Sequence, residues 1–151
     1  MNQLDIQTVF ASARQPEQQH FQHWVDAVLD GINRDTEIVI RIVDEQESAS
    51  LNRQYRHKHG PTNILSFPFE MPAIEGLELN LLGDLVVCAP VLEKEAREQN
   101  KHLADHWAHI IVHGVLHLLG YDHIDETEAE LMESKEIAIL QTLNITNPYH
   151  R

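Results

Sequence analysis

The residues best suited to chemistry in this chain lie in one stretch, VHGVLHLLGYDH, residues 112–123. His113, His117 and His123 are spaced by four and six, with Gly120 between the last two. On a helix the rise is about 1.5 Å per residue, so side chains four apart stack about 6 Å along the axis. Two imidazoles in that relation can share one metal ion. His109 lies two turns from His117, about 12 Å along the axis by the same rise, and is an awkward third ligand. His123 is better placed. A glycine such as Gly120 commonly ends a helix in a left-handed conformation and reverses the chain, which would swing His123 back towards the pair. Three histidines and one open position form the ligand set of catalytic rather than structural zinc, though imidazoles also accept nickel or copper. An i, i+4 pair alone carries little specificity, whereas H-x3-H-x2-G-x2-H in a helix-then-turn setting carries much more. His106 and His109 are read as packing or supporting residues. Asp122 either orients a ligand or caps the turn.

In zinc peptidases the residue after the first histidine is a glutamate that serves as general base. Here it is Gly114. Glycine takes no proton from water, so a peptidase loses its central group and would need a carboxylate from elsewhere, with Asp84 and Asp122 the candidates near the motifs. A metal can still polarise a phosphoryl oxygen and generate a nucleophile near neutral pH. What a phosphodiester transition state then lacks is positive charge. The segment NRQYRHKHGPTNILSFPF, residues 52–69, supplies it: Arg53, Arg56 and Lys58 with no acid at all. Arg56 and its neighbours lie just before the strand NILSFPF; Arg53 and Lys58 either guide a polyanion or are solvated charges.

That basic island sits in an acidic chain. The 151 residues carry a formal net charge of −13, and residues 122–136 alone hold seven acids against one lysine. Such a balance predicts poor affinity for free nucleic acid, because phosphate binding draws on lysine and arginine. The length fits one domain, 1–151, with enough chain to bury a core. The single cysteine, Cys88, excludes an internal disulfide and lies in the apolar run DLVVCAP, which marks it as a buried residue rather than a nucleophile. The N-terminal MNQLDIQTVF has neither a basic region nor a long apolar one, and no apolar run is long enough to span a bilayer, so a cytoplasmic chain without membrane contact is expected.

The elements that must position the histidines can be laid along the chain. LDIQTVF (4–10) reads as a strand. Phe21, Trp24, Val25, Val28, Leu29 and Ile32 follow helical spacing, with Pro16 suited to the first turn. TEIVIRIV (36–43) is a β-branched strand, and Asp44 with Glu47 reads as a capping pair for a short helix through Arg56. NILSFPF (63–69) is a strand whose Pro68 suits an edge, and LLGDLVVCA (81–89) is another, the two joined by the loop 70–80. A helix runs from Pro90 to about Gln99. The histidine helix covers 103–119 and is apolar nearly all round in its second half, so it should be central. A last helix, 127–143, buries Ala129, Met132, Ile139, Leu140 and Leu143. The order predicts an α+β fold in which a small mixed β-sheet packs against several helices around a central histidine-bearing helix.

Three segments in this order and spacing, LNRQYRHKHGPTNILSFPFE, LLGDLVVC and HGVLHLLGYDH, resemble the YbeY family of bacterial metal-dependent endoribonucleases. The likeness spans most of residues 36–140, and the first thirty-five residues carry little of it. It implies a single-strand-specific endoribonuclease that matures ribosomal RNA, notably the 3′ end of small-subunit ribosomal RNA, and takes part in ribosome quality control. It also implies zinc on His113, His117 and His123, a functional arginine at Arg56, and RNA, ribosomal subunits or ribosome-associated proteins as partners. Two other readings stay open: a zinc hydrolase of peptide or amide bonds, and a ribosome assembly factor in which zinc only holds the fold.

Overall fold

A computed structural model describes residues 1–11, 14–32, 35–69, 81–122 and 124–149. The loop 70–80 and His123 lie outside the described residues. The chain runs β1 (Asn2–Thr8), α1 (Gln18–Val28), β2 (Thr36–Val43), α2 (Glu45–Arg56), β3 (Ile64–Pro68), β4 (Leu81–Cys88), α3 (Ala89–Glu98), α4 (Leu103–Leu118) and α5 (Glu126–Thr142). The four strands form one sheet in the order β1-β2-β4-β3. β1 and β4 run parallel to β2, while β3 is antiparallel to β4, so the sheet is mixed and the fold is α+β as the sequence predicts.

Strand alternation divides the core into two unequal parts. Ile38, Ile40, Ile42, Leu85 and Val87 face α1 and α4 and form the larger cluster, with Phe21 of α1 meeting Trp107 of α4 edge to face at 5.7 Å. Val43, Leu65, Val86 and Cys88 lie in the smaller cluster, where Leu51 of α2 and Phe67 also pack. Cys88 is fully buried, as expected of a packing residue. α4 packs against α1, α3, α5, β3 and β4, and residues 106–112 are buried without interruption. It is the hub of the fold.

Several boundaries shift for local reasons. β1 occupies Asn2–Thr8 rather than 4–10, because it pairs from Asn2↔Thr36 onwards and the N-terminal ammonium bonds Asp35 at 2.7 Å. α1 begins at Gln18, two residues after Pro16, with the Glu17 N–H donating to His20 Nδ1 at 3.2 Å. Asp44 does cap α2, its carboxylate accepting from the Glu47 N–H at 2.8 Å. The Glu47 side chain does not close a reciprocal capping box; it takes Arg41 instead, through Nε at 2.6 Å and Nη2 at 3.2 Å. A two-oxygen grip on a guanidinium is the stronger use of that carboxylate. In β4 the register with β2 slips between Glu37 and Ile38, leaving Leu82 as the extra residue beside Gly83. Gly83 has φ +155°, and a Cβ there would sit 2.5 Å from the Phe67 carbonyl oxygen and 2.7 Å from Leu118 Cδ2. Only glycine allows β4, β3 and the end of α4 to meet that closely.

Candidate metal centre and its cavity

Three local features set the histidines of α4. Helical spacing stacks His113 under His117, and their Nε2 atoms come within 3.1 Å of each other. The helix ends in a Schellman motif: the Tyr121 N–H donates to the Leu116 carbonyl at 3.1 Å and the Gly120 N–H to the His117 carbonyl at 3.0 Å. Gly120 takes φ +101°, the turn expected of it from sequence. His123, three residues further on, lies outside the described residues.

The third feature is Gly114. A Cβ at this position would lie 2.5 Å from Ile64 Cδ1 and 3.0 Å from Leu85 Cδ2. The carbonyl of Gly114 accepts from Ser66 Oγ at 3.4 Å. The helix surface where peptidases carry their glutamate is thus pressed onto β3 and β4. A side chain there would point into the sheet.

His113 and His117 form one wall of a cavity of about 520 Å³ whose lining includes Arg56, Lys58, Ser66 and Asp122. Arg56 is the last residue of α2, where His57 takes a left-handed φ of 57° and ends the helix. Its Nη2 donates to the Ser66 carbonyl at 3.3 Å, which aims the guanidinium across the rim of β3. Two of the island's cations, Arg56 and Lys58, therefore meet the histidine pair; Arg53 is not among the lining residues. Asp84 is set apart. Its neighbours Gly83 and Leu85 face α4, so alternation sends the Asp84 side chain out of the opposite face of the sheet. It cannot serve as a base at the histidines.

The other side of His113 meets a residue that sequence reading passed over. Glu136, on α5, is fully buried. Its Oε1 faces His113 Nδ1, its Oε2 lies 3.1 Å from His109 Nε2, and the Tyr149 hydroxyl donates to the same Oε2. Burial alone would raise this carboxyl, but hydrogen bonds from His109, His113 and Tyr149 outweigh it and hold the pKa at about 2. An ionised carboxylate only accepts, so His113 must carry its proton on Nδ1. The Nε2 lone pair is then left for the side facing His117. Burial lowers the pKa of His109, and the Tyr149 hydroxyl is pushed up by burial and by Glu136 and stays protonated. The signal for Glu136 was present in the sequence: Met132, Glu136 and Leu140 lie at i, i+4 and i+8, which puts an acid in the middle of the buried stripe of α5.

Among the described residues no cluster of three or more histidine, cysteine, aspartate or glutamate side chains is poised to hold a metal. The pair His113–His117 does suit one. Metal–nitrogen bonds of about 2.0–2.1 Å put two ligating nitrogens of a tetrahedral centre a little over 3 Å apart, and with Glu136 on its Nδ1 the His113 ring turns Nε2 towards His117.

Comparison with known proteins places the chain. A family model described as endoribonuclease YbeY matches residues 6–144, so it takes in most of the first thirty-five residues as well. The chain is 53% identical over 150 residues to an endoribonuclease YbeY of Colwellia psychrerythraea, covering 97% of this chain and 96% of the relative. With an endoribonuclease YbeY of Methylococcus capsulatus it shares 56% over 149 residues, at 99% and 96% coverage. In fold it is similar to a Thermotoga maritima protein solved in solution, with a TM-score of 0.59, 21% identity and full coverage of both chains. On the first two counts, the chain belongs to the endoribonuclease YbeY family.

Proposed function

We propose that this chain is a zinc-dependent endoribonuclease of a single domain. It cuts single-stranded RNA, matures the 3′ end of small-subunit ribosomal RNA and acts in ribosome quality control. Family membership makes it an enzyme that cleaves RNA phosphodiester bonds. His113, His117 and His123 are the metal ligands, with nickel an acceptable substitute on three imidazoles, and Arg56 is the catalytic cation.

The observation that carries this reading is a shared space: the guanidinium of Arg56 and the rings of His113 and His117 line one cavity. When bound, the metal would supply Lewis acidity and a nucleophile at neutral pH. The rest of the work falls to side chains of this protein. Arg56, oriented by the Ser66 carbonyl, neutralises charge that develops on the phosphoryl oxygens. Lys58 steers the RNA backbone to the cavity. Ile64 and Leu85 fill the space around Gly114, which keeps a competing carboxylate base out. A net charge of −13 offers little general attraction for RNA. Docking on a ribosomal subunit or a ribosome-associated protein in the cytoplasm would supply the missing affinity. Among the described residues no helix is long and apolar enough to cross a membrane.

The test is cleavage of a single-stranded RNA carrying the 3′ end of precursor small-subunit ribosomal RNA. Metal-loaded protein, chelated protein and Arg56→Ala are run side by side. Cleavage that stops with chelator, returns with zinc and fails in the variant supports both halves of the proposal. Cleavage that persists unchanged in both controls, or is absent throughout, defeats it.

A further inference from the structure

A glutamate with no solvent exposure in the middle of a helix face needs an explanation. An isolated carboxylate is among the costliest groups to bury, and α5 could have placed a leucine between Met132 and Leu140. Glu136 is instead met from three directions by three donors on different parts of the chain: His109 and His113 from α4 and Tyr149 from the C-terminal segment. We propose that Glu136, latched by Tyr149, is the positioning residue that fixes the His113 ring for metal binding. The proposal rests on the metal-ligand reading of His113.

Three observations carry it. First, the contact is on the correct nitrogen. Glu136 engages Nδ1 of His113 while Nε2 faces His117, so the carboxylate lies behind the ring and the ligating lone pair in front. A carboxylate in that place fixes both the tautomer and the plane of the imidazole and makes it a better donor to a cation. Second, the carboxylate cannot turn away. Its second oxygen is held by His109 Nε2 at 3.1 Å and by the Tyr149 hydroxyl. The His109 and Tyr149 rings also meet edge to face, with centroids 5.4 Å apart.

Third, the latch has a built route. α5 ends in its own Schellman motif, with Asn144 at φ 62°, the Ile145 N–H donating to the Leu140 carbonyl at 2.9 Å and the Asn144 N–H to the Gln141 carbonyl at 3.1 Å. This reversal sends the last residues back along the helix, and Ile145 packs against the large core. The Tyr149 N–H then donates to Asn147 Oδ1 at 2.8 Å, a local turn that aims the ring inward. Although Tyr149 is 42% exposed, its hydroxyl reaches a group with no exposure at all. The C-terminal segment is in this way part of the metal site.

The test is direct metal binding to the full-length, metal-free protein, using zinc in competition with a chromogenic chelator. Wild type, Glu136→Gln, Tyr149→Phe and His113→Ala are compared, each with its melting curve. The protonated nitrogen of His113 is read by long-range nitrogen–proton NMR. Glu136→Gln is expected to weaken zinc binding by about ten- to a hundredfold and to leave His113 as a mixture of tautomers. Tyr149→Phe is expected to do the same to a smaller extent. A purely structural role would lower the melting temperature and leave the tautomer unchanged. If metal-free wild type carries its His113 proton on Nε2, the proposal is overturned, whatever the variants do. It is also overturned if His113→Ala abolishes binding while Glu136→Gln binds zinc within twofold of wild type. If His113→Ala itself binds zinc normally, the metal-ligand reading fails first.

Discussion

The first and second halves of α4 carry the same residue type at nearly the same spacing, to opposite ends. His106 and His109 are buried, and each lies against a glutamate: Glu95 at 3.0 Å from His106 Nε2, and Glu136 at 3.1 Å from His109 Nε2. His113 and His117 are half-buried on a cavity, facing each other. What separates the halves is what packs against them. The first half is sealed by α3, α5 and the C-terminal segment; the second emerges where β3 ends the sheet. His113 stands at the boundary and belongs to both, with one nitrogen on the carboxylate and the other towards the cavity. Spacing lines the rings up, and the neighbouring element decides what each ring meets.

The contrast can be broken by experiment. His113→Ala should have the largest effect, with zinc content and RNA cleavage both falling to the level of a blank, measured by metal analysis and a gel assay. Arg56→Ala should lower kcat by about 10²–10³-fold, the usual cost of deleting a group that stabilises transition-state charge, with zinc content and melting unchanged. His106→Ala should act on stability alone. Losing a buried hydrogen-bond partner should cost about 1–3 kcal/mol in denaturant unfolding, while zinc stoichiometry and cleavage per folded molecule hold. Should His106→Ala remove the metal, the division of α4 into a supporting and a functional half is wrong. Lys58→Ala should do least: weaker RNA binding, with a salt dependence reduced by about one unit of log–log slope.

Much of this was legible in the sequence. β-branched runs, capping signals and amphipathic spacing name the nine elements of the described residues in order, and β2 falls on 36–43 as expected. Gly120 is legible because a helix end of that shape favours glycine, and Pro68 because an edge strand tolerates it; β3 is indeed an edge. Long-range information was not. No local pattern says that β4 lies between β2 and β3, since parallel partners are distant in sequence. Glu136 was overlooked for a different reason, since its signal is local. It stands at the end of a stretch with seven acids, and only the face it occupies sets it apart from the solvated ones. The capping role expected of Glu47 was lost to Arg41, a residue on the preceding strand that no helix-start rule considers.

The rim of β3 has one more consequence. Ladder bonds at Asn63–Cys88 and Phe69–Leu82 mean that Ile64, Ser66 and Pro68 turn their main-chain groups away from β4. Such an edge is where an extended polypeptide would add itself as a further strand. Here each position already withholds one group: the Ile64 N–H bonds Asn63 Oδ1 at 2.7 Å, the Ser66 carbonyl accepts from Arg56, and at Pro68 there is no N–H to give. The guanidinium bound to the Ser66 carbonyl therefore denies a peptide one of its docking points. The side chain that lines the histidine cavity thus also guards the sheet, and the obstructed edge is protected from pairing with its own kind.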